Sequence, residues 1–115
     1  MEAREVIVER TSKCYVDLGK SIKIGTALHT KAMSCENPGK HLVKVTDDLQ
    51  YRLEKSEKIQ SDVGFVSKWK KMPDGTALSV EAAQELQRRA AGYLTEMLDA
   101  GKAVKALLPK PTKDE

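Results

Sequence analysis

The stretch VEAAQELQRRAAGYLTEMLDAGKAVKALL, residues 80–108, decides the fold. Within it Ala83, Leu86, Ala90, Tyr93, Met97, Ala100, Val104 and Leu107 recur at spacings of three and four, a heptad seam about three and a half repeats long. Side chains so spaced share one helix face, and an apolar face of that length has to be covered by another helix. Ala91, Leu94, Leu98 and Leu108 flank the seam. That breadth suits a helix that meets two others in a bundle, or one whose spare face meets another protein.

Just upstream, Ser79 is placed to cap this helix, Glu81 puts a carboxylate near its positive end, and Leu78 can staple to Ala83 across the cap. Met72-Pro73-Asp74-Gly75-Thr76 predicts a reverse turn, because Pro presets one dihedral and Asp-Gly brings a side-chain acceptor and a permissive backbone. The chain therefore doubles back onto a preceding helix over about 38–71, with Leu42, Val45, Leu49, Leu53, Ser56, Gln60, Val63 and Val66 along its seam. Ser56 and Gln60 make the middle of that seam polar and predict a local weak point in the packing.

Asn37 is expected to cap this second helix, with Pro38 at its first position, where the missing N–H does no harm. A first helix over about 3–33 presents Ile7, Thr11, Cys14, Leu18, Ile22, Gly25 and Leu28, widened by Val8 and Tyr15 so that it touches two neighbours. Gly19 and Gly25 inside it mark a close crossing or a bend. Downstream of the opening stretch, Pro109 and Pro111 stop the third helix near Leu108 and leave residues 109–115 as a polar tail. The prediction is all-α: one domain over residues 1–108, an antiparallel bundle of three long helices (about 3–33, 38–71 and 80–108) with coiled-coil-like packing.

Composition agrees. Charged residues make up 32% of the 115 and aromatics only 4%, which favours long solvated helices over a β-sandwich. A net charge of +3 permits an anionic partner without arguing for one. Two cysteines are too few for a disulfide framework, and no apolar run has the length of a signal core or a membrane span. A protein of the cytoplasm is the expectation.

Candidate chemistry is sparse. His29, Cys35 and His41, with Glu36 nearby, are spaced six apart and lack the close ligand pair that zinc sites use, so no metal is expected. Cys14 lies on the core stripe and Cys35 has no companion that would complete a nucleophile. Asp47-Asp48, Glu96 and Asp99 sit among polar surface positions on a body too slim for a deep pocket. No phosphate-binding loop, dinucleotide fingerprint or calcium loop is present. The reading is non-enzymatic, with no cofactor and no small-molecule substrate.

What remains is recognition. The expected function is a protein–protein interaction module, adaptor or assembly subunit that binds another protein or further copies of itself through Tyr93, Leu94, Met97, Leu98, Val104, Leu107 and Leu108. The alternative is a small nucleic-acid or anionic-membrane binder that uses Lys68, Trp69, Lys70 and Lys71, extended by Arg88 and Arg89.

Overall fold

The computed structural model describes residues 4–108 and consists of three helices: α1 (Arg4–Met33), α2 (Lys40–Trp69) and α3 (Val80–Leu107). Each helix packs on both others, in a body 54 × 26 × 20 Å. This is the all-α three-helix bundle the sequence predicts. The polar tail expected over 109–115 lies outside the described residues.

The interior follows the heptads. On α1 the buried positions Thr11, Leu18, Gly25 and Ala32 are seven apart, with Ile7 ahead of them. On α3 they are Ala83, Leu86, Ala90, Met97, Ala100, Gly101 and Val104. On α2 two expectations are corrected: Thr46 and Ile59 are buried where Val45 and Gln60 were expected, and those two are only half-buried. The buried positions keep seven-residue spacings, Leu42–Leu49–Ser56–Val63, Thr46–Leu53 and Ile59–Val66, and this register turns Thr46 and Ile59 inward. Thr46 tolerates this because its hydroxyl donates to the Leu42 carbonyl at 2.6 Å.

The core falls into two clusters. Leu18, Ile59, Val63, Val66, Leu86 and Ala90 fill the end near the α2–α3 turn. Ala32, Leu42, Leu49, Leu53, Met97, Ala100 and Val104 fill the end near the α1–α2 connector. Half-buried Ile22 and Leu94 touch both. Ser56 is 0% exposed and its Oγ has no hydrogen-bond partner, so the seam carries an unpaid desolvation cost at this position. The weak point read from the sequence is present at Ser56.

The connectors differ in kind. Ser79 caps α3 as expected, its hydroxyl accepting from the Ala82 N–H at 3.3 Å. The expected cap at Asn37 is not formed. Gly39 is the capping residue of α2 and Asn37 takes a left-handed φ of 52°, which Asn tolerates and which turns the chain between helices; Pro38 accordingly stays outside α2. At the other end Lys70 stops α2 with a φ of 56° and donates its N–H to the Val66 carbonyl.

The reverse turn is a small hairpin: Gly75 N–H donates to the Met72 carbonyl at 2.8 Å, Met72 N–H to the Thr76 carbonyl at 3.0 Å, and Lys71 pairs with Ala77. Gly75 takes a φ of 88°, the left-handed position that a three-residue hairpin loop requires. α1 runs unbroken through Gly19 and Gly25, and Gly25 is buried where it meets both α2 and α3. Of the two readings for these glycines, Gly25 is a close crossing.

Candidate interaction surface

The seven α3 residues expected to meet a partner do not share one fate. Met97 and Val104 are buried in the core, because the heptad seam closes on α1 and α2 of the same chain. Tyr93 and Leu94 are half-buried against the cluster near the turn, and Leu108 is half-buried against the other. Only Leu98 and Leu107 are exposed, Leu98 at 40%.

Leu98 does not stand alone. Up-down-up topology lays α1 parallel to α3, and the two leave a groove between them of about 180 Å³. Gly25, Leu28, Met97 and Gly101 line it, with Ile24 and Leu98 at its edges. Ile24 is 58% exposed, an apolar side chain held in water by its place on the outer side of α1. Sequence reasoning missed Ile24, Gly25 and Gly101 as parts of a surface. The signal was the Ile22/Ile24 pair: two residues apart on a helix they point to nearly opposite sides, so one of them had to lie off the core stripe.

The basic cluster is arranged differently from its sequence. Trp69 is 57% exposed, with the Lys68 ammonium 5.1 Å from its ring centroid and Phe65 at 6.4 Å. It lies beside a shallow groove of about 510 Å³ that Tyr15, Asp62, Lys68 and Pro73 also line. Trp69 therefore does not close the end of the core. Met72, in the turn that follows, is buried. Lys70 and Lys71 have left the helix, and the Lys70 carbonyl accepts from the Arg4 guanidinium at 3.0 Å. Arg88 is held by both carboxylate oxygens of Glu85, and Arg89 is exposed on α3.

Elsewhere the ionisable groups serve structure. Arg52 of α2 donates to Glu96 of α3 at 2.8 Å, an ion pair across the helices, and lies 3.6 Å from Asp48 one turn back on its own helix. Both cysteines are free thiols. Burial pushes the Cys14 thiol above its usual range, Asp17 adds to this and Lys13 partly opposes it, which keeps the sulfur protonated and unreactive. Cys35 donates weakly to the Lys31 carbonyl, His29 keeps Nε2 buried without a partner, and His41 is exposed. Among the described residues no three His, Cys, Asp or Glu side chains come together in a metal-binding group, and no helix is long and apolar enough to cross a membrane.

Set against family models, curated proteins and solved structures, the chain matches none of them.

Proposed function

We propose that this chain is a non-enzymatic interaction module whose α1–α3 face docks another protein. The observation that carries the reading is the pairing of Ile24 and Leu98, both exposed on the edges of one apolar groove. Scattered apolar side chains on a surface are ordinary, whereas two that border a groove lined by Leu28 and Met97 make a continuous patch that gains by being covered. Half-buried Leu28 adds to it. Reaction chemistry has less support: Asp48 and Glu96 pair with Arg52, and burial raises the pKa of Cys14.

A nucleic-acid or anionic-membrane role for Lys68, Trp69, Lys70, Lys71, Arg88 and Arg89 also has less support, because Glu85 pairs with Arg88. Such binding weakens steeply with salt and is removed by changing Lys68, Lys70 and Lys71 to Glu.

Photo-crosslinking in cells tests the reading. A benzoylphenylalanine placed at Ile24 should give a discrete crosslinked protein, which Leu98→Asp removes, while the same probe at exposed Gln84 gives none. No discrete product from Ile24, or an equal product from Gln84, sinks the proposal. Sedimentation equilibrium then separates a second copy of this chain from a different protein.

A further inference from the structure

The charge around the α1–α3 groove says what kind of surface covers it. Among the described residues two charged side chains line the groove, Lys102 and Lys105, and no carboxylate does. Both lysines are exposed, and among the described residues neither takes part in an ion pair. Of the acidic groups of α3, Glu96 is turned to Arg52 on α2, Glu85 holds Arg88 near the opposite end of the helix, and exposed Asp99 lies outside the groove lining. An apolar trough with a purely cationic edge is complementary to an apolar ridge with carboxylates beside it.

Backbone chemistry narrows the partner further. The groove walls are the continuous helices α1 and α3, whose N–H and C=O groups are spent on their own helical ladders, so no strand can be added by backbone pairing. A trough between two parallel helices has the shape that fits the side-chain ridge of a third helix. We infer that the α1–α3 groove binds an amphipathic, acidic helix of a partner protein, with Leu- or Ile-type anchors between Ile24 and Leu98 and carboxylates against Lys102 and Lys105. This rests on the docking reading above and adds the class of partner to it.

The experiment uses two stapled helical peptides of about 18 residues that share one Leu/Ile stripe and differ only in flanking Glu or Lys. Each is titrated into the isotope-labelled chain, and amide shifts are followed by NMR. The Glu peptide should perturb residues 21–28 and 97–105 and bind at least about tenfold more tightly than the Lys peptide. Lys102→Glu with Lys105→Glu, both on exposed positions, should reverse that preference without changing the helical CD spectrum. Equal binding of the two peptides at these residues overturns the acidic-helix inference and leaves apolar docking standing. Binding of neither overturns both. Vesicles of phosphatidylcholine and phosphatidylserine form a third arm: if they perturb the same residues and the Glu peptide does not, the surface is a membrane contact and the inference fails.

Discussion

Leu53 of α2 lies against the bare backbone of Gly25 on α1, its Cδ2 only 2.9 Å from where a β-carbon on Gly25 would stand, with the Met97 sulfur of α3 at 3.7 Å. Three helices meet at that point, and all three side chains or backbones are buried. Glycine in mid-helix costs about 1 kcal/mol against alanine, so its presence here exchanges helix propensity for close approach. Gly25→Val should therefore destabilise the fold by about 2 kcal/mol or more, through forced displacement of Leu53. Gly92 is the contrast: it is also helical, yet nothing lies within 4 Å of the space a β-carbon would take. Gly92→Ala should stabilise by about 0.5–1 kcal/mol. Urea midpoints of the two variants, read at unchanged slope, check both signs.

Ser56 is buried with its hydroxyl unpartnered. Replacing it with alanine removes a desolvated donor without breaking a bond and also raises helix propensity. Ser56→Ala should gain about 1–2 kcal/mol. Chemical denaturation measures it, and a loss of stability would mean the hydroxyl is bonded in solution.

The Cys14 thiol is pushed up by burial. A group whose folded pKa lies above its unfolded value contributes stability below the unfolded pKa, near pH 8.5 for a thiol, and loses it as pH rises through the folded value. Wild-type stability should fall over that alkaline window, and Cys14→Ala should flatten the fall. Alkylation by iodoacetamide should also be slower at Cys14 in the folded chain than in urea, by about tenfold or more.

Asp74 runs the other way. The Thr76 hydroxyl and then the Thr76 N–H, at 2.9 Å, donate to its Oδ1 and hold its pKa below the usual carboxylate range. The turn is thus favoured above the ordinary aspartate pKa, near pH 4, and that contribution is lost as pH falls through the lowered value. Side-chain NMR should show Asp74 titrating below the usual aspartate value. Thr76→Val should move it back up, since the hydroxyl donor is gone while the backbone donor remains.

The helices and their order were legible because periodicity and punctuation agree: the seam of α3, the Ser79 cap and the Pro73-Asp74-Gly75 turn all stand where the sequence puts them. Positions that depend on one helix turning relative to another were not. Whether Val45 or Thr46 faces inward depends on how α2 is rotated against its two neighbours, and whether Asn37 caps a helix or bends the chain depends on where α1 leaves off. The interaction surface was legible only in part, for a related reason. A heptad seam shows which residues must be covered, and Met97 and Val104 are covered by their own chain. The groove that stays open is lined by two helices at once, so Ile24 becomes meaningful only when Leu98 is seen across from it.

An odd number of long helices has a mechanical outcome. Because α1 and α3 point the same way, Arg4 and Leu108 stand at opposite poles of a body 54 Å long. With two or four such helices the two ends would return to the same pole. Here anything joined at one pole is held off from anything joined at the other by the length of the rod. A pair of dyes placed at the two poles would report bending of the rod as a gain in energy transfer, with the intact bundle serving as its own strut.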